Sequence, residues 1–529
     1  MKKKLLLVFL IVFLLAAVSV IGLHTPAKNV HQHHASNKQG KPVIVLLVDS
    51  LMDDPLQQVV ADGNAPAFEF LMNSGRYYPD LVSSYPTMSV TIDSTLLTGT
   101  YANGHRIPGL AWFKADENRL VNYGSGLNEI IALGAKQVTN DSMLHLNQEH
   151  LNKQTATIYE ELASRNLEAA SLNGLIYRGP KPHTLTTPNV AAWLNMLPKT
   201  IQTKGPSLLS MGAFSHFSPK NHLQLWKSAG LTDTATANEL VYLIEQNQLP
   251  AFTLAYFPDL DKQVHKHGPM ALKGILQVDK ELQTILNTYR SWEEALEKAV
   301  WIVCGDSGQA VILDNKETAE IDLNQVLSEF AVWNAGDEAS PTSFQIVPAL
   351  NARMTYLHLL DEQLSYTEVA AKLTSDERIG FVAWSENGTN YVASAHSDQL
   401  FSFSPNGDYT DPYQQTWSID GDETILDLKT DDQNVIQFDD YPDALARLHG
   451  ALHSHDGRFL IADALPGYEF IADHTPKHIG GAGHGSLHKL DSTMPFIVAG
   501  TNVEPDYRRL VDFKQWVEAL TNSQSKTFE

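Results

Sequence analysis

The sequence predicts an α/β fold: a mainly parallel central sheet flanked by helices, with an inserted α+β subdomain. Three observations predict it. Continuous apolar runs recur at Val43–Val48, Ala251–Tyr256 and Val300–Cys304, as strands buried on both faces require. A helical pattern at Leu272, Ile275, Leu276, Val278, Leu282, Ile285 and Leu286 separates two of them, the alternation expected of layered α/β proteins. Beyond residue 310 the pattern changes to short strands such as Gly380–Trp384, Tyr391–Ala395 and Leu400–Phe403, broken by Asn-Gly and Asp-Gly turns.

Taken in chain order, Lys2, Lys3 and Lys4 precede an apolar run from Leu5 to Leu23. Its nineteen residues reach about 28 Å as a helix, enough for a bilayer core. Lysines followed by such a run read as an export signal, with Ala17-Val18-Ser19 as the best cleavage candidate, or as an uncleaved N-terminal membrane anchor. Either way the remainder is expected outside the cytoplasm, secreted or attached to the membrane. Residues 24–40 are polar, carry His31, His33 and His34, and read as a flexible spacer. The α/β core is expected over 41–310 and 476–529, with 311–475 as the inserted cap. Within the core, Val90–Thr98 is helix-competent, Pro495–Ala499 is a late strand and Val511–Leu520 a closing helix.

A chain of 529 residues has room for two or three domains or one large one. Its 61 acidic against 38 basic residues give a net charge of −23. So acidic a surface repels nucleic-acid polymers. The single cysteine, Cys304, excludes an internal disulfide and a Cys-based zinc knuckle. A transition-metal site must therefore use carboxylates and the 21 histidines. Export without disulfides fits a bacterial surface protein.

Several strand ends finish in metal-competent side chains. Val43–Val48 ends in Asp49; the second strand runs into Asp259, Asp261, His265 and His267; the third runs into Asp306; His484 precedes the last strand. Ligand sites of open α/β sheets lie at these carboxyl ends. Singly, each Asp is a common turn or cap residue, and each His a common surface residue. In Tyr85-Pro86-Thr87-Met88-Ser89, Pro86 sets the entry to a helix, and Thr87 falls where helix N–H groups favour an anion. Its hydroxyl needs a cation to become a nucleophile; its plain alternative is an N-cap.

Together these pieces resemble the alkaline phosphatase superfamily, in its type I phosphodiesterase/nucleotide pyrophosphatase branch. The resemblance rests on Val48-Asp49-Ser50, on Tyr85-Pro86-Thr87 with Thr98-Gly99, on Asp261-x-x-x-His265-Lys266-His267-Gly268-Pro269, on Gly305-Asp306-Ser307-Gly308 and on His484-Gly485, in the family order. It implies an alkaline-phosphatase-like fold and a metal-dependent hydrolase of small phosphate esters, phosphodiesters or nucleotide pyrophosphates. It also implies two divalent ions, zinc in the family. Asp261, His265 and His484 would hold one. Asp49 and Asp306 would hold the other, with Thr87 bound to it and forming a phospho-threonine.

Two departures stand out. The family's Asp-His pair is Asp306-Ser307 here, so the Asp49/Asp306/Thr87 site is all oxygen and suited to Mg²⁺ or Mn²⁺. His267, His478 and His488 are candidates to supply the missing imidazole. The Asn expected five residues after Thr87 is Ile92, beside Asp93. That leaves the metals or the backbone N–H of Met88 to hold the oxyanion. His105 and Arg106 are further candidates near the site. Alternatives are a phosphomonoesterase, a phosphonate hydrolase, a head-group transferase, or a surface binding protein on the same fold. Thr87-Met88-Ser89-Val90 lacks the sulfatase pattern.

Overall fold

The computed structural model describes residues 27–30, 40–224, 227–337 and 339–523. The export or anchor segment at 1–23 and the spacer histidines His31, His33 and His34 lie outside the described residues. Among the described residues, no helix is long and apolar enough to cross a membrane.

The central sheet has seven strands. Val43–Val48 lies in its middle, paired in parallel with Val300–Gly305 on one side and Phe252–Phe257 on the other. Ala169–Leu172 and Leu208–Ser210 extend the parallel run to one edge. Thr493–Ala499 is antiparallel to Val300–Gly305 and carries Arg76–Val82 at the opposite edge. The sheet is mostly parallel.

Every residue of Val43–Val48 is buried, because both faces are covered. Ile44, Leu46 and Val48 pack against Leu56, Phe68, Leu240, Ile275 and Leu282 of one helical layer. Val43, Val45 and Leu47 pack against Ile92, Leu96, Ile158, Trp516 and Val517 of the other. The period-2 alternation of a strand sends consecutive residues to opposite layers, so an unbroken apolar run is what this position requires.

A second sheet, also of seven strands, is antiparallel throughout and built from residues between Ile346 and Ala464. Its hairpin between Ile379–Glu386 and Thr389–Ala393 turns at Asn387-Gly388, both at positive φ (53° and 83°). Asn-Gly suits that turn because the two residues tolerate the left-handed region best. Buried polar contacts dock this sheet on the core. Asp463 accepts from Tyr85 (2.9 Å), Ser486 (2.6 Å) and the Leu487 N–H (2.9 Å). Arg353 pairs with Asp491, and Arg447 donates to the Ser84 carbonyl at 2.8 Å.

Candidate metal centre

Strand register assembles the centre. Val48 pairs with both Phe257 and Gly305, so Asp49, Pro258 and Asp306 leave the sheet at one level. Ser50 then turns at φ 63°. Its N–H donates to Asp306 Oδ1 at 2.8 Å, and its hydroxyl to Asp261 Oδ1 at 3.0 Å. Gln309 donates to Ser50 Oγ (2.7 Å) and to Asp261 Oδ1 (2.8 Å). Ser50 and Gln309 thereby link the two carboxylate groups. Their sequence signal is only proximity to Asp49 and Asp306.

Asp261 and His265 lie four residues apart on the helix Asp259–His267, with Asp261 Oδ1 3.1 Å from His265 Nε2. His484 Nε2 comes to 3.9 Å from the same oxygen. The ligand atoms of Asp261, His265 and His484 lie within 4.8 Å of one another. His265 Nδ1 donates to the Ala482 carbonyl at 2.8 Å, and His484 Nδ1 donates to the Thr87 carbonyl. Both outer nitrogens are thus committed as donors, and both Nε2 atoms face Asp261 Oδ1; against burial, the Asp261 carboxylate raises the His265 imidazole above its ordinary value. That outer arrangement fixes imidazole ligands in metal sites. Burial, then neighbouring His265, pushes the His484 imidazole down to about 4, which keeps it neutral. The donor set of two imidazoles and a carboxylate fits a zinc-type ion.

Asp49 and Asp306 form a second group. Asp49 accepts from the Tyr256 hydroxyl. Burial, then Asp306 and Asp261, raises its carboxyl well above the ordinary range. Asp306 is pushed up to about 6, chiefly by burial. Its Oδ2 is buried without a hydrogen-bond partner. Crowded carboxylates with an orphaned oxygen fit a hard divalent cation. Among the described residues no histidine completes a three-residue group with them. His478 stacks on His265 (4.4 Å between centroids) with Nδ1 on Glu469, His488 faces Asp440 at 3.8 Å, and His267 is exposed. Burial, then Asp306, raises the Asp93 carboxyl well above its usual range.

The nucleophile segment differs from the sequence expectation. The helix is Ser89–Thr98, because Met88 is still extended (φ −109°, ψ 130°). Thr87 is fully buried. Its Oγ1 accepts from the Gly485 N–H at 2.7 Å and reaches the Ser486 carbonyl at 3.5 Å. Gly485 sits at φ 121°, and a Cβ there would meet the Asn351 carbonyl oxygen at 2.1 Å, so this contact requires glycine. The Thr87 hydroxyl is therefore tied to a loop. The Met88 N–H is also engaged, donating to the Pro86 carbonyl at 2.8 Å, and is not free for an oxyanion. Ser89, two residues on, is half-buried and lines a cavity of about 360 Å³ together with Asp261, His265 and His484. Sequence reasoning read Val90–Thr98 as helix-competent, with the entry at Pro86 and Thr87 at the helix N–H groups, and gave Ser89 no role. His105 is buried against Thr95 (3.1 Å), and Arg106 pairs with Asp456 at 2.5 Å; both serve local structure.

The fold is that of the alkaline phosphatase superfamily, and its Asp/His groups could hold metal ions. The family model "Type I phosphodiesterase / nucleotide pyrophosphatase" matches residues 43–415, and the chain belongs to this family. It is a phosphate ester hydrolase of the phosphodiesterase/nucleotide pyrophosphatase type. No curated protein matches it in sequence. Its fold is shared with murine ectonucleotide pyrophosphatase / phosphodiesterase 5, at 12% identity and TM-score 0.55 over 91% of this chain and 95% of that one. It is also shared with phosphonoacetate hydrolase from Sinorhizobium meliloti 1021, solved with phosphonoformate, at 14% identity and TM-score 0.53 over 91% and 96%. The murine protein was also solved as an inactive variant in complex with AMP, at 12% identity and TM-score 0.53 over 91% and 95%.

Proposed function

We propose that the chain is an exported, metal-dependent phosphodiesterase working through a phospho-serine on Ser89. One observation carries this reading: Ser89 opens a helix into the cavity shared by Asp261, His265 and His484, while the Thr87 hydroxyl is closed off by Gly485. Export is supported by Lys2–Lys4 and the apolar run Leu5–Leu23.

Asp261, His265 and His484 would hold one ion, and Asp49 and Asp306 a second, Zn²⁺ at the first and Mg²⁺ or Mn²⁺ at the second on donor chemistry. Bound ions supply Lewis-acid charge that lowers a hydroxyl's pKa and neutralises phosphate oxygens. The chain's residues do the rest. The Ser89 Oγ attacks phosphorus as its proton passes to solvent, and one ester oxygen leaves from the opposite side and takes up a proton as the free alcohol, so that Ser89 carries the phosphoryl group with the second organic group still attached. Water then attacks that phosphorus, releasing the phosphate monoester and restoring the Ser89 hydroxyl. The first N–H groups of the helix, which helix geometry leaves unpaired, offer donors to a phosphate oxygen in place of the Met88 N–H. Ser50 and Gln309 orient Asp261.

The test is turnover of bis(4-nitrophenyl) phosphate by metal-loaded protein. Ser89→Ala abolishes it, and mass spectrometry traps a 4-nitrophenyl phosphoryl group on the peptide holding Ser89. Thr87→Val keeps turnover. Activity lost in Thr87→Val and kept in Ser89→Ala would return the nucleophile to Thr87.

A further inference from the structure

We propose that His478, held by Glu469, makes the site specific for single-phosphate esters whose organic group is uncharged and bears a hydroxyl, and not for nucleoside polyphosphates. This rests on the phosphoryl-transfer role proposed for the cavity.

The cavity wall beyond the metal ligands is largely apolar, with Leu110, Leu175, Leu350, Phe470 and Pro476. The polar side chains in that wall are spent on the protein itself. Asn351 accepts from the Leu110 N–H (2.7 Å) and donates to the Ala111 carbonyl (2.9 Å). Thr475 donates to the Ala472 carbonyl at 2.9 Å, and the Tyr123 hydroxyl meets His150 at 2.8 Å.

His478 differs. Glu469 is fully buried and holds it at two points: Oε1 accepts from the His478 backbone N–H, and Oε2 from Nδ1, both at 2.7 Å. A carboxylate accepts, so Nδ1 carries the proton and Nε2 keeps its lone pair, on a ring that lines the cavity. The ring stacks on His265 with 25° between planes. An acceptor fixed in an apolar wall recognises a donor, such as a hydroxyl.

Charge sets the other limit. The lining contains neither lysine nor arginine, and the chain carries −23 overall. The two metal sites can neutralise one phosphate. Further phosphates of a nucleoside polyphosphate would enter a wall without cations, at a desolvation cost nothing there offsets. A cavity of about 360 Å³ also sits at the small end of ligand pockets.

The experiment uses a matched pair, 4-nitrophenyl 3-hydroxypropyl phosphate and 4-nitrophenyl propyl phosphate, with ATP as a third ligand. Calorimetry on metal-loaded Ser89→Ala protein reads binding without turnover. The hydroxylated ester is expected to bind about tenfold more tightly, the worth of one hydrogen bond. Adding His478→Phe, which keeps the stacked ring but lacks Nε2, brings the ratio to about one; Glu469→Gln narrows it. In turnover by the Ser89-containing protein, the preference appears in KM more than in kcat, and ATP is cleaved poorly. A ratio near one before the His478 change, a ratio that survives His478→Phe, or ATP bound as tightly as the hydroxylated ester overturns the proposal. A binding preference without turnover by the Ser89-containing protein would instead sink the hydrolase mechanism and leave this inference standing.

Discussion

The Asp261/His265/His484 group and the Asp49/Asp306 group adjoin each other but are prepared differently. In the first, each imidazole has its outer nitrogen committed to a backbone carbonyl, so both Nε2 atoms converge on Asp261 before any cation arrives. In the second, two buried carboxylates lie close together, and burial followed by the charge of neighbouring carboxylates raises both above the ordinary carboxylate range. One site is organised by hydrogen bonds, the other by the repulsion a cation would relieve. The first should hold its ion tightly and selectively, the second weakly and with strong pH dependence.

The largest expected effect comes from the organised group. His484→Ala removes one tightly bound equivalent and lowers kcat/KM by more than the roughly 10- to 100-fold that loss of an outer-shell partner costs. Metal analysis after dialysis, alongside turnover, checks it. Equal metal content in the variant would erase the distinction between the two groups.

Ser307→Asp and Ser307→His sharpen it next. Ser307 is fully buried, with its Oγ unpartnered, beside Asp306. An imidazole there should move the Asp49/Asp306 preference from Mn²⁺ toward Zn²⁺ by about tenfold or more, as N donors favour zinc over harder ions. A carboxylate should leave the order Mn²⁺ over Zn²⁺. Competition titrations between the two ions read the shift.

A pH series gives a smaller effect. The Asp306 carboxyl is raised from 3.8 to about 6, so the folded metal-free protein binds more protons than the unfolded chain across that window. Its contribution to stability is whole below the lower value and lost as pH rises through the upper one. A cation competes with those protons. The rise in Tm on adding Mn²⁺ should be slight at pH 5 and larger at pH 7, by differential scanning calorimetry. A pH-independent rise would mean that Asp306 is not a ligand.

The smallest effect is Thr87→Val. It leaves the Gly485 N–H without its acceptor, a cost of about 1–3 kcal/mol, seen in urea unfolding, with turnover largely kept.

Much of this was legible in the sequence. Val43–Val48 could be read as a central strand because six consecutive apolar residues suit only a position covered on both faces. Asp261 and His265 could be read as a pair because four-residue spacing is a property of the helix itself. Asp49 and Asp306 followed from their places after parallel strands. Ser89 did not, because the helix start depends on where Met88 remains extended and on the Thr87 hydroxyl finding Gly485, 398 residues away in sequence. Glu469 was hidden too, and His478, a candidate for the missing imidazole, stacks on His265 and is held by Glu469, contacts between segments far apart in the chain.

The sequence by itself determined the strands, the helices between them and which side chains could bind a cation, because those are local matters of periodicity and donor chemistry. Only the tertiary structure decided which hydroxyl faces the cavity, which nitrogen of each metal-site imidazole turns toward Asp261, and that among the described residues no histidine joins Asp49 and Asp306. Those facts rest on contacts between segments hundreds of residues apart, and no local pattern encodes a distance of that kind.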